Sequence, residues 1–99
     1  MIIKRDGSKP ETVRVTFSLS GYDEASTVNL VGDFNDWDRY SHPMEREHKG
    51  GPWHITLELP RGREFQFRYL INDTLWVNDP RADRFVPNPF GGDNSLLET

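Results

Sequence analysis

Apolar and polar residues alternate with a period of two along much of this chain, the pattern of strands that lay one face on a core. Val13, Val15, Phe17 and Leu19 alternate with Thr12, Arg14, Thr16 and Ser18. Gly21-Tyr22-Asp23-Glu24 reads as a turn, and Thr27 to Val31 as a second strand ended by Gly32. Trp53, Ile55, Leu57 and Leu59 alternate with His54, Thr56 and Glu58 and stop at Pro60. After the turn Arg61-Gly62-Arg63, the residues Phe65, Phe67, Tyr69 and Ile71 alternate with Gln66, Arg68 and Leu70. Asn72-Asp73-Thr74 predicts a hairpin connection into Leu75-Trp76-Val77.

The remaining stretches read as punctuation. Gly32 to Asp38 is loop chemistry with Phe34 and Trp37 set in it, and Gly50-Gly51-Pro52 is a break. A short edge strand is expected near Met44. Residues 78–94, rich in Pro, Gly, Asp and Asn, predict an ordered loop, and Ser95 to Glu98 a final edge strand. The first ten residues are expected to be frayed, leaving 11–99 as the domain. No helix is predicted. About seven short strands with close turns predict an all-β, antiparallel sandwich. Val13, Val15, Phe17, Val28, Leu30, Trp53, Ile55, Leu57, Phe65, Phe67 and Tyr69 face inward.

Length and composition narrow the classes. The 99 residues suit one domain with one core. A net charge of -4 with scattered Lys and Arg argues against nucleic acid and anionic membrane surfaces as partners. The chain has no cysteine, which removes disulfides, thiolate nucleophiles and Cys-based zinc sites and points toward the cytoplasm. The start, Met1 to Gly7, lacks the apolar run of a signal peptide, and no stretch is apolar enough for a transmembrane helix. Asn72-Asp73-Thr74 matches a glycosylation sequon and is read as a turn.

The aromatics carry the candidate chemistry. A pyranose has an apolar face of C–H groups that an exposed indole can cover, and a rim of hydroxyls that amides and guanidinium groups can meet. Trp37 lies between Asp36 and Asp38, which favours an exposed ring over a lid folded on the core. Trp76 faces outward if Leu75 and Val77 face the core, and inward in the opposite assignment; periodicity leaves both open. Trp53 shares a face with Ile55, Leu57 and Leu59 and belongs to the core. Arg68 lies on the outer face of its strand, as a solvated side chain or as a donor to sugar hydroxyls.

These residues in this order resemble family 48 carbohydrate-binding modules. In Val31-Gly32-Asp33-Phe34-Asn35-Asp36-Trp37, the run from Gly32 to Trp37 is similar to the G-x-F-N-x-W part of that family's V-x-G-x-F-N-x-W signature, and Leu59-Pro60-Arg61-Gly62 to its L-P-x-G turn. The likeness continues in Phe65 to Tyr69, in Trp76 with Asn78-Asp79-Pro80, and in Asn94, and covers about Val13 to Glu98. The family includes the glycogen-binding domain of the AMP-activated protein kinase β subunit and the early-set domains of isoamylases and branching enzymes. The resemblance implies an immunoglobulin-like sandwich of early-set type that binds α-1,4-linked glucans such as glycogen, starch and maltooligosaccharides. It implies that Trp37 and Trp76 stack on glucose, that Arg68 and Asn94 meet hydroxyls, and that Phe90 reaches into the glucan's curve. Arg68 stands where kinase-type members carry Lys, and the connection before Trp76 is one residue longer than theirs. By its own pattern, Phe90 between Pro89 and two glycines suits either that contact or a plug at the end of the sandwich.

Catalysis is not expected. Asp33, Asp36 and Asp38 lack the ligand spacing and glycine of a calcium loop, and His42, His48 and His54 lack paired metal-ligand spacing. No nucleophile elbow, phosphate-cradling loop or pair of carboxylates across a cleft is legible. No cofactor or metal is expected. The competing reading is a structural module that packs against a glycoside hydrolase family 13 catalytic domain, or a kinase-like partner, without binding sugar.

Overall fold

The computed structural model describes all of residues 1–99. Its strands are β1 (Ile2–Asp6), β2 (Thr12–Leu19), β3 (Val28–Gly32), β4 (Trp53–Pro60), β5 (Glu64–Ile71), β6 (Leu75–Val77), β7 (Arg84–Pro87) and β8 (Asp93–Glu98), with one 3-10 turn at Asp33–Asn35. One sheet is ordered β1-β2-β4; the other is β3-β5-β8-β7, with β6 also on β5. Every pairing is antiparallel. The chain is an all-β, immunoglobulin-like sandwich, and no helix is long and apolar enough to cross a membrane.

Alternation decides which face each strand buries. Val13, Val15 and Phe17 from β2 meet Phe65, Phe67 and Tyr69 from β5, with Val28, Leu30 and Leu97 completing the layer. Phe17 and Phe67 pack edge to face at 5.2 Å. Phe34 closes one end against Phe17, Phe65 and Phe67. Trp53 is buried as expected, while Ile55 and Leu57 are half-buried and pack on the core from β4. Burial of this kind contributes about 1.5–3 kcal/mol per large side chain.

Near Met44 the chain crosses between the sheets. The Met44 N–H donates to the Val28 carbonyl at 2.8 Å, and Glu45 exchanges backbone hydrogen bonds with His54 of β4. At the β5–β6 hairpin, Asn72 and Asp73 both take positive φ, 51° and 61°, as a primed turn requires. Gly32 lets β3 approach β5: a Cβ there would lie 2.5 Å from the Gln66 carbonyl oxygen.

Three expectations are corrected. The first ten residues are not frayed throughout, because Ile2–Asp6 pairs with β2 from Ile2↔Phe17 to Asp6↔Val13. Only Ile2 of that strand reaches the core, so backbone pairing holds it and no alternation announces it. Residues 78–94 are not all loop, since Arg84–Pro87 forms an edge strand on β8. An edge position tolerates Pro87. Consequently Ser95 to Glu98 is not an edge: β8 lies between β5 and β7.

Candidate functional site

The outer face of β5 organises the site. Along one edge, β5 pairs with β8 up to Phe67↔Ser95, and then with β6 from Tyr69↔Val77. Arg68 sits where these two partners part. Its neighbours on the same face are Gln66 and Leu70, and Leu70 stands opposite Trp76. On the other edge Gly32 pairs with Phe67, which delivers the loop after β3 beside the same spot.

That loop is built tightly. Asn35 donates to the Leu30 carbonyl at 3.0 Å, accepts from the Gly32 N–H at 3.1 Å and contacts His42 Nδ1 at 2.8 Å. Asp36 and Trp37 both lie in the left-handed region, at φ 55° and 59°. A bulky residue adopts that conformation only where its surroundings enforce it. Here the Trp37 N–H donates to the Gly32 carbonyl at 2.9 Å and its Nε1 to Asp33 Oδ1 at 2.9 Å. Asp33 Oδ2 accepts the Gln66 N–H at 2.7 Å, so one carboxylate ties the indole to β5.

A buried polar network holds the other side. Asp79 is fully buried and accepts the Tyr69 hydroxyl at 2.7 Å. Burial, reinforced by that carboxylate, pushes the Tyr69 hydroxyl far above the usual tyrosine range, so it is a permanent donor. The Asp79 N–H donates to Ser95 Oγ, which donates to Asn78 Oδ1, and Asn78 Nδ2 donates to the Asp93 carbonyl. These bonds tie the segment after Trp76 to β8 on both sides of Asn94. They set the spacing of Trp76 and Asn94.

All five residues expected at the site, Trp37, Arg68, Trp76, Phe90 and Asn94, line one open hollow of about 600 Å³. Trp37 and Trp76 are half-buried in its walls. Val77 packs on the core, which resolves the orientation of Trp76: its ring faces outward. Phe90 is 94% exposed, which excludes the end plug. Its loop is held by Asn88, whose Oδ1 accepts from the N–H groups of Phe90 and Gly92. Asn94 donates to Gln66 Oε1 at 3.1 Å.

Three further residues line the hollow that the sequence did not mark as site candidates: Arg39, Asn88 and Pro89. The Arg39 guanidinium carbon lies 5.6 Å from the centre of the Trp76 ring. No periodic signal marks Arg39; Asn88-Pro89 carries only the generic signature of a turn. No group of three or more His, Cys, Asp or Glu side chains comes together to hold a metal. The hollow offers apolar ring faces with amide and guanidinium donors around them, and no carboxylate to act as an acid or base.

The family described as carbohydrate-binding module 48 (isoamylase N-terminal domain) matches residues 7–86. The 1,4-alpha-glucan branching enzyme of Aquifex aeolicus is 46% identical over 74 residues, which is 74% of this chain and 11% of that enzyme. The 1,4-alpha-glucan branching enzyme of Paramagnetospirillum magneticum is 35% identical over 68 residues, 62% of this chain and 9% of that enzyme. The chain thus spans about a tenth of the length of these curated relatives. Among solved structures, the enterobactin esterase FES of Shigella flexneri superposes with a TM-score of 0.80 at 13% identity, over 99% of this chain and 32% of the esterase. That likeness concerns the fold alone. With a match across residues 7–86, the chain belongs to the carbohydrate-binding module 48 family.

Proposed function

We propose that this module binds α-1,4-linked glucans, such as glycogen, starch or maltooligosaccharides, non-catalytically in the hollow on the outer face of β5. The observation that carries the reading is the meeting of Trp37, Trp76, Arg68, Asn94 and Phe90 in one open hollow. Trp37 and Trp76 stack on the C–H faces of glucose units. Arg68 donates to hydroxyls, and the Asn94 amide meets others at the rim. Phe90 stands clear of the surface and presses against the concave side of a curved glucan. Arg68 spreads its donors in a planar fork, where an ammonium would present a point charge.

An open hollow buries only part of a ligand. Affinity for a short oligosaccharide is therefore expected at about 10 μM to 1 mM, roughly -7 to -4 kcal/mol. Electrophoresis in a glycogen-containing gel, backed by calorimetry with maltoheptaose and β-cyclodextrin, tests this directly. Retardation by glycogen supports the reading, and the absence of binding to all three ligands overturns it. The competing reading is a packing module for a catalytic domain or other partner, consistent with relatives of whose length the matched segment makes up only about a tenth. It predicts no retardation. The lack of cysteine supports a cytoplasmic setting, where glucan stores would be the ligand.

A further inference from the structure

The hollow holds two arginines and no carboxylate, although the whole chain has a net charge of -4. Arg39 and Arg68 both line it, and neither belongs to any ion pair. Arg68 is half-buried, and its Nε is sealed from solvent with no hydrogen-bond partner. The terminal nitrogens of the same guanidinium are not sealed, so they are the donors a ligand in the hollow can meet. Arg39 rests over Trp76 and is tied to no acid. Asp33, the carboxylate nearest in role, has both oxygens committed to Trp37 Nε1 and the Gln66 N–H. Asp36, Asp38 and Asp93 neighbour these residues in sequence, yet none lines the hollow.

Arg68 already serves the neutral hydroxyls in the reading above, which leaves Arg39 as a second uncompensated cation in the same depression. Two guanidinium groups facing the same space repel each other, and an anion between them reverses that sign. Their planar donor sets match phosphate oxygens well. We propose that the hollow prefers α-glucan carrying a phosphate monoester, with Arg39 and Arg68 on the phosphate and the indoles on the adjoining glucose rings. This rests on the glucan-binding reading above and names the glucan it favours.

The test is calorimetry with maltoheptaose, maltoheptaose carrying one 6-phosphate, and inorganic phosphate alone. The phosphorylated sugar is expected to bind about tenfold tighter than the neutral one at low salt. Raising NaCl to about 0.5 M shrinks that ratio to about twofold. The Arg39→Gln variant, with an unchanged thermal midpoint, lowers the low-salt ratio to about threefold, and Arg39→Lys retains more of it. Equal affinity for the two sugars overturns the phosphate preference and leaves glucan binding standing. No binding of either sugar removes both readings together. Inorganic phosphate alone binding as tightly as the phosphorylated sugar overturns the proposal by separating the anion site from the glucan. A full ratio in Arg39→Gln removes Arg39 from it.

Discussion

Two arginine–tryptophan pairs in this small sandwich have the same chemistry and opposite settings. The Arg46 guanidinium carbon lies 4.4 Å from the Trp53 ring centre, and Arg39 lies 5.6 Å from that of Trp76. Trp53 is 7% exposed, and its Nε1 donates to the Tyr22 carbonyl. Arg46 spends its donors on the carbonyls of Asp23 and Ala25, so it staples a loop over a core residue. Trp76 stays half-buried beside a hollow, and Arg39 has no ion-pair partner there. The cation over an indole is therefore not what marks a binding residue. What distinguishes the pairs is whether the donors and the ring face are already used by the protein itself.

The largest expected effect breaks the buried pair. Trp53→Ala removes a buried indole and leaves a cavity, at about 3–5 kcal/mol. The thermal midpoint should fall by more than about 10 °C in calorimetry or circular dichroism. Trp37→Ala acts on the other setting. It should bring glycogen retardation below detection while shifting the midpoint by only a few degrees, because its indole lies outside the core. Equal losses of stability in these two variants would collapse the distinction.

The arginines sharpen it. Arg46→Met leaves two carbonyls without their donors and should cost about 1–2 kcal/mol of stability in denaturant unfolding. Arg39→Met should cost less than about 0.5 kcal/mol, since no carbonyl or carboxylate loses a partner. Phe90→Ala comes next. Its side chain is 94% exposed, so stability should hold, while binding weakens several-fold, more for β-cyclodextrin than for linear maltoheptaose. Normal binding by Phe90→Ala would leave the ring without a role.

The smallest effect concerns pH. Partial burial raises the Asp83 carboxyl, but hydrogen bonds from the Glu98 N–H and Lys4 outweigh it and hold the group below its ordinary value. A depressed carboxylate stabilises the fold above its unfolded pKa, and that contribution is lost as pH falls through the lower folded value. Unfolding measured from pH 6 down to about 2 should show this loss below about pH 4. Asp83→Asn should flatten the curve there. The readout bears on β1, because Lys4 Nζ reaches Asp83 Oδ2 at 2.7 Å.

That contact also shows why parts of the fold were illegible. Strands β2, β4 and β5 are announced by alternation, because one side of each meets the core. Strand β1 places one half-buried residue inward, and β7 carries Pro87, so neither has a period to read. Their stability comes from backbone pairing with β2 and β8 and from side-chain ties such as Arg84 to Glu98. Such pairing is a long-range property and leaves no local trace.

By itself, the sequence determined the all-β class, the inward faces of the central strands and the five residues that came to share one hollow. Alternation with a period of two specifies faces, and the family resemblance, carried by motifs such as Val31–Trp37 and Leu59–Gly62, implied Trp37, Arg68, Trp76, Phe90 and Asn94 as the site. Only the tertiary structure decided that Trp76 faces outward, that Phe90 stands clear of the core, and that Arg39 joins Arg68 without a carboxylate. Each of these depends on which distant strands share β5. The point where β8 and β6 part on its edge is created by pairing between residues far apart in the chain.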